Sequence, residues 1–502
     1  IFKYSRRQGT KAAAMEGQLT EAVKAERSDK MLEMHHRHAA EYEKSMLGKI
    51  LEVLLEEEVA IDGRTYYLGH SREYVKTAVE KQEGYEYKST MDSPTQGAFD
   101  IPTTKTTFKG NHLEIVIAKL GAFYQGRLGN DTITGTFNQG GMPFPLELVR
   151  TEKKELLRPQ EPQPPYSYDV EEITFSNTNE KINLAGTLTL PKQKEKAPAV
   201  ILIAGSGPND RDETIFGHKP FWVLADHLTR QGIAVLRFDK RGIGESEGEY
   251  FLATSKDFAD DVNAAISYLK TREEIDASNI GLIGHSEGGI IAPMVATRNS
   301  DVKFVVLMAG LGVTGTELVL AQHQHEFDKL PLTDEKKEEL NDVLINLYSN
   351  VLSWSEYAGS NEERNQLKED LATLWQNLTL ETQAETQKEA FINQTTAKII
   401  SPWFRYFLKT DPTEYIQKLS IPVLAINGEI DKQVEYQSNL NGIENALKRG
   451  NNKQYTIKSY PHLNHLFQES TTGEIDEYGK IEQTMSPTVL SDIENWIIKL
   501  TQ

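Results

Sequence analysis

The 502-residue chain contains no cysteine. That excludes disulfides, thiolate metal sites, iron–sulfur clusters and cysteine nucleophiles together. No apolar run approaches the length of a membrane span, so no transmembrane helix is expected. Positive charge is in deficit: 55 Lys and Arg stand against 74 Asp and Glu, a formal net charge of −19. This balance argues against general nucleic-acid binding and favours solubility. The chain starts at Ile1 without a methionine or a signal-peptide pattern. The expectation is that its native start lies upstream, and its compartment is not readable. What is plentiful is ordinary globular material, 38% hydrophobic and 26% charged, in a chain long enough for two or three domains.

The most informative stretch is Asn279–Ile291. A strand-like apolar run (Ile280, Leu282, Ile283) ends in Gly284-His285-Ser286-Glu287-Gly288, and a helix-compatible run follows. G-x-S-x-G between a strand and a helix is the context of a nucleophile elbow, a sharp turn that lifts the serine hydroxyl clear of the sheet edge. Small residues are needed on both sides of that serine, and Gly284, Gly288 and Gly289 supply them. The turn also sets Ser286 at a helix N-terminus, where backbone N–H groups face a developing oxyanion.

From Asp169 onward, strands and helices alternate. VEEITFSN and INLAGTLTLP read as an opening hairpin. APAVILIAGSG, IAVLRFDKRG, NIGLIGHS and VKFVVLMAG are buried strands, with FWVLADHLTRQG and DFADDVNAAISYLKTR as helices among them. Such runs predict an α/β fold with a mostly parallel sheet covered on both faces. Residues 313–410 break the rhythm with polar, helical patterning and carry Trp354, Trp375, Trp403 and Phe404. An insertion there stands over the C-terminal strand ends, where ligands bind in open α/β sheets, and it is read as a helical cap shaping the substrate pocket.

Asp169–Gln502 resembles the α/β-hydrolase superfamily through GSGPNDRDET, GIAVLRFDKRGIGES, GLIGHSEGGIIAP and two late loops carrying Asp and His. The nearest likeness is to bacterial acyl esterases with an N-terminal β-domain and a helical cap. The resemblance implies carboxylic-ester hydrolysis by Ser286 with an acid and a histidine following in that order. Asp431, in IPVLAINGEIDKQV, stands in the acid's place, with Glu429 as a nearby competitor. In YTIKSYPHLNHLFQ, His465 followed by Leu466 and Phe467 fits the base better than His462. The oxyanion donors implied are the backbone N–H groups of Glu287 and of Ser206 in Ala204-Gly205-Ser206-Gly207, where a relative would have His-Gly and where Gly207 is the alternative. Trp403, Asp210 and Arg211 are the substrate-contact candidates; the loop Pro208–Thr214 either holds a polar group of the substrate or pins the neighbouring turn. Asp239, Arg241, Gly242 and Gly244 read as an internal salt-bridged turn, and His285 and Glu287 as flanking residues that tune the pocket. No metal or organic cofactor is implied. The expected partner is a small-molecule ester, of a short acyl chain or a carbohydrate-linked hydroxycinnamoyl group, with room for a homo-oligomer. A serine peptidase of the same fold is the alternative enzyme.

The first 168 residues belong to other patterns. Residues 1–81 resemble the C-terminal, TRAM-like end of a radical-SAM tRNA methylthiotransferase, through FKYSRRQGTKAA, MLGKILEVLLEEE and YYLGHSREYVKTAV. The cysteines that such a family uses for its clusters have no counterpart, so none of that chemistry carries over; a chimeric or fused N-terminus, or an RNA-interaction module, is the expectation. Strands alternate there around Asp62-Gly63, after a charged, helix-patterned stretch. In that stretch Glu33, His35, His36 and His38 read as a solvated helix face in preference to a metal site. Residues 82–152 alternate like strands around Gly-Asn, Asn-Asp and Gly-Gly turns and resemble the later half of a small β-domain, with Tyr124, Phe137 and Phe144 as core. A half-barrel leaves strand edges open to another chain. Residues 153–168, rich in proline, are read as an extended, semi-rigid linker.

Overall fold

A computed structural model describes residues 19–45, 53–61, 64–71, 76–80, 87–93, 98–139, 142–150, 157–192, 196–355, 359–378 and 385–501. FKYSRRQGTKAA and the Asp62-Gly63 turn lie outside the described residues. The chain divides into two compact units, residues 1–87 with 107–111 and residues 88–106 with 112–502. The first contains the helix Glu21–Ser45 and an antiparallel sheet of Val53–Ile61, Arg64–Ser71 and Lys76–Glu80. Glu33, His35 and His38 are exposed along that helix, and the His36 side chain lies outside the described residues.

In the second unit, His112–Ile117, Ala122–Gly129, Thr132–Gln139 and Met142–Val149 pair antiparallel in chain order. Asn130 and Asp131 both adopt positive φ, 48° and 67°. That is the mirror-image turn whose twist suits a two-residue hairpin, and Asn and Asp tolerate it. Tyr124 is buried, and its hydroxyl donates to the Ile133 and Leu146 carbonyls at 3.0 and 3.1 Å, a core role. Phe137 is half-buried, while the Phe144 side chain lies outside the described residues.

The remainder is an open, eight-stranded sheet. Its strands are β1 Asp169–Asn177, β2 Ile182–Leu190, β3 Ala197–Ile203, β4 Ala234–Phe238, β5 Ile275–His285, β6 Val302–Met308, β7 Val423–Gly428 and β8 Tyr455–Tyr460. Their order is β1-β2-β4-β3-β5-β6-β7-β8. β1 and β2 form the opening antiparallel hairpin, β2 meets β4 antiparallel, and every later pairing is parallel. Alternate side chains of the central strands go to opposite faces. Ile201, Ile203 and Leu282 join one apolar core, and Val200, Leu202 and Ile283 join the other. Both faces are therefore dry, which is why these strands are continuously apolar.

Helices α1 Pro220–Arg230, α2 Ser255–Leu269 and α3 Gly288–Ala296 cover the sheet between its strands. Between β6 and β7 come five helices in the region expected to be a cap: α4 Gly315–Asp328, α5 Asp334–Ser353, α6 Asn361–Leu378, α7 Glu385–Ile399 and α8 Pro402–Lys409. α9 Tyr436–Arg449 and α10 Pro487–Thr501 complete the domain. Among the described residues, no helix is long and apolar enough to cross a membrane.

The proline-rich stretch differs from the spacer expected of it. Arg158 donates to the carbonyls of Phe216, Gly217, Gly479 and Ile481, and Gln160 bonds Thr484 and Met485 through both ends of its amide. Two polar side chains bind the segment to the domain that follows. Proline content reports only the stiffness of such a segment, not what its neighbours bond.

Candidate active site

Ser286 stands between β5 and α3 with φ +54°, a left-handed conformation that costs a non-glycine residue strain. Its N–H donates to the Met308 carbonyl at the end of β6. The turn is closed by contacts that only glycine permits. A Cβ on Gly284 would lie 2.0 Å from the Gly288 carbonyl oxygen, one on Gly288 would lie 2.0 Å from the Ile203 oxygen, and one on Gly289 would lie 2.6 Å from the Gly310 Cα.

The late loops bring Asp431 and His465 together. Asp431 follows β7 and His465 follows β8, and Asp431 Oδ2 accepts from His465 Nδ1 at 2.7 Å with both side chains buried. Asp431 Oδ1 accepts from the backbone N–H groups of Gln433 and Val434 at 2.8 and 2.9 Å, which fixes the carboxylate. With Nδ1 donating to the acid, Nε2 of the neutral ring is the acceptor, the tautomer a general base requires. His465 and Ser286 line one cavity without a hydrogen bond between them; such bonds are often long before substrate arrives. His462 is exposed at a positive φ, and Glu429 accepts instead from Ser459.

Glu287, at the start of α3, presents its backbone toward the serine and its side chain away from solvent. The carboxylate is fully buried and accepts from Ser255 Oγ at 2.6 Å, Trp403 Nε1 at 2.8 Å and Lys240 Nζ at 3.4 Å. Lys240, also buried, donates to the Gly205 carbonyl at 2.5 Å. One buried ion pair thus joins the cap, through Trp403 of α8, to the turn after β3. Among the described residues, no acceptor takes the N–H of Ser206 or of Glu287.

A second acid–histidine pair lies alongside. Glu213 Oε1 accepts the Gly205 N–H at 2.6 Å and faces His285 Nδ1 at 3.0 Å, while His285 Nε2 faces the His465 carbonyl at 3.0 Å. Both ring nitrogens face acceptors, an arrangement that favours the protonated ring. Burial disfavours that charge, but Glu213 and the His465 carbonyl outweigh it and raise the His285 pKa.

The cavity over Ser286, about 200 Å³, is walled by the Gly205-Ser206 turn, Glu213, His285, His465 and, from the cap, Leu318, Val319, Lys398, Trp403, Phe404 and Phe407. Trp403 is therefore at the site. Asp210 and Arg211 are not, which corrects their reading as substrate contacts. Asp210 accepts from Asp212 N, Thr214 N and Thr214 Oγ1, and Arg211 pairs with Asp239, Glu245 and Glu172. Their polar atoms pin the loop. The ion pairs of the FDKRGIGES turn, expected to be internal, run outward instead, Arg241 to Asp261 at 2.7 Å and Asp239 to Arg211 at 2.8 Å, with Gly244 at φ +55° against the Asp239 carboxylate. Sequence reasoning missed Glu213, Lys240 and Ser255: each sits among polar neighbours in the chain, and the contacts Glu213–His285, Lys240–Glu287 and Ser255–Glu287 join distant segments. Among the described residues, His325, Glu326 and Glu474 place three ligand atoms within 4.8 Å of one another, but Lys329 pairs with both carboxylates.

Residues 221–470 match the family Hydrolase_4, described as serine aminopeptidase, S33. The esterase EstD of Thermotoga maritima is 29% identical over 339 residues, 67% of this chain and 69% of that protein. A tRNA-2-methylthio-N(6)-dimethylallyladenosine synthase of Acetivibrio thermocellus is 49% identical over 55 residues, 11% of this chain and 12% of that enzyme. An esterase of Pyrococcus furiosus superposes with a TM-score of 0.39 at 15% identity, covering 66% of this chain and 92% of its own. With its elbow-bearing, mostly parallel sheet, its family match and its esterase relative, the chain has the α/β-hydrolase fold.

Proposed function

We propose that the chain is a serine carboxylesterase that works through an acyl-enzyme. Ser286 Oγ attacks the ester carbonyl carbon while His465 Nε2 takes its proton, and Asp431 holds the resulting imidazolium. The carbonyl oxygen, now anionic, receives the N–H groups of Glu287 and Ser206. The C–O bond to the alcohol breaks, and His465 returns the proton to the leaving oxygen. Water then gives a proton to His465, attacks the acyl-enzyme, and Ser286 leaves with that proton as the acid is released. The single observation carrying this reading is the buried Asp431–His465 pair at 2.7 Å on the cavity that holds Ser286 at a strained φ of +54°.

The cavity supports a substrate class. At about 200 Å³, with mostly apolar cap residues, it takes a short acyl or a hydroxycinnamoyl group. The matched family's description as an aminopeptidase favours a second reading, cleavage of an aminoacyl amide. An aminopeptidase must anchor a substrate ammonium. Glu213 is the one carboxylate lining the cavity among the described residues, and it is engaged by Gly205 and His285. A panel of p-nitrophenyl esters beside aminoacyl-anilides, on the parent and on Ser286→Ala, tests the reading. Ester turnover that vanishes in the variant is the expected result, and anilide cleavage without ester cleavage would transfer the chain to the peptidases.

A further inference from the structure

The cap contains a second cavity, larger than the one at the serine. It measures about 460 Å³ and is walled by Phe327 of α4, Leu344 and Leu347 of α5, Leu371 and Trp375 of α6, and Phe391 of α7. Protein interiors leave few voids larger than a water molecule, whereas small-molecule sites run from about 300 to 1,000 Å³. At the roughly 30 Å³ that a water molecule occupies in the liquid, a volume near that of a methylene, there is room for on the order of ten methylenes.

Its position relative to Ser286 indicates an occupant. Lys398 and Phe404 line both cavities, so these two side chains form a shared wall. α4 runs along both, giving Leu318 and Val319 to the serine's cavity and His323 and Phe327 to the other. Lys398 Nζ sits 5.1 Å from the Phe404 ring centroid, and no carboxylate pairs with it among the described residues. Lys398 is held there by a ring contact and not by a carboxylate, so its stem is the part of the shared wall that a bound chain would have to displace.

We propose that the cap cavity receives the distal part of the substrate's acyl chain, so that the preferred esters are those of medium-length fatty acids. This rests on the carboxylesterase reading and extends it beyond short acyl groups. A chain starting at Ser286 passes Lys398 and Phe404 and lies against the leucines of α5 and α6. The acyl part is assigned because it stays bonded to Ser286 through the second half of the reaction, and a largely apolar seat for it outside the serine's own cavity leaves that cavity open to water.

The test uses the full chain and two filling variants, Thr395→Trp and Leu374→Phe, both of positions on the cavity wall. kcat/KM is measured for p-nitrophenyl acetate, butyrate, octanoate and decanoate, and for acetate esters of ethanol through decanol. In the parent the decanoate-to-acetate ratio should exceed ten, it should fall at least tenfold in each folded variant, and the alcohol series should show no such trend. A ratio that both variants leave unmoved, or a preference appearing in the alcohol series, would overturn the assignment. Should neither variant fold, a nitroxide-labelled fatty acid is titrated into Ser286→Ala. Saturable quenching of the Trp375 fluorescence, defined by its loss in Trp375→Phe, supports the site, and its absence overturns it. Failure to hydrolyse any ester would fall on the carboxylesterase reading instead, with fatty-acid binding judged separately by the quenching.

Discussion

Around Ser286, the buried side chains of Lys240, Glu287 and Glu213, outside the proposed triad, surround the backbone that the proposed chemistry uses. Lys240 joins the Glu287 carboxylate to the Gly205 carbonyl, and Glu213 holds the Gly205 N–H while facing His285. Lys240→Met leaves Glu287 buried with neutral donors only, and such a break costs about 3–5 kcal/mol. The urea midpoint should fall accordingly, and Lys240→Met combined with Glu287→Gln should be more stable than Lys240→Met alone, the coupling expected of residues in contact. Asp431→Asn should keep the fold and reduce kcat on the order of 10⁴-fold, because the wrong histidine tautomer then faces the serine; circular dichroism and ester turnover check the two halves. Ser286, Asp431 and His465 were legible because each sits in a local pattern. Glu213 and Lys240 were not, since their contacts span 72 and 47 residues and no window of sequence contains both ends. Arg211 misled for the converse reason: an arginine beside the oxyanion turn suggests a ligand, and its true partner Asp239 is 28 residues away.

The elbow and the segment before β1 make separate demands as elements. Gly284→Ala sets a Cβ 2.0 Å from the Gly288 carbonyl, where backbone rather than a side chain must move. The expected loss exceeds the roughly 1–3 kcal/mol of ordinary overpacking, with ester turnover falling more than stability because Ser286 moves with the turn. Thermal melts and kcat together read this. In the proline-rich stretch, Arg158→Ala removes four carbonyl contacts at a half-buried guanidinium. A loss on the order of 2 kcal/mol is expected, given the worth of hydrogen bonds to charged groups and the partial exposure; urea unfolding of parent and variant measures it. Strand and helix positions were readable from apolar runs and turn residues. The docking of residues 157–168 was not, because it depends on carbonyls of loops near 216 and 480.

At the scale of the whole molecule, acidity is the lever. His218, bonded to Thr484 and the Tyr478 carbonyl, and His323, beside Tyr348, are both pushed down to about 4 by burial. Their unfolded pKa is near 6.5, so the unfolded chain binds more protons as pH falls, and stability drops from about pH 6.5 down to about pH 4. Each group contributes roughly 3 kcal/mol of that loss. His285 has the opposite sign: its raised pKa gives stability that is present at low pH and is lost as pH rises through the folded value. Urea midpoints at pH 7, 5.5 and 4.5 should fall steadily, with a shallower slope in His218→Gln. The parallel sheet and the insertion between β6 and β7 could be read from alternating runs, but the cap's inner cavity could not, because it arises from how five helices pack and not from any one of them.

The central claim is that Ser286 is the nucleophile, and labelling tests it most directly. The full chain is treated with a fluorophosphonate, digested and mapped by mass spectrometry. A single adduct on Ser286, with loss of ester turnover in proportion to labelling, is the predicted result. An adduct on another residue, or turnover that persists in a chain fully labelled at Ser286, would contradict it.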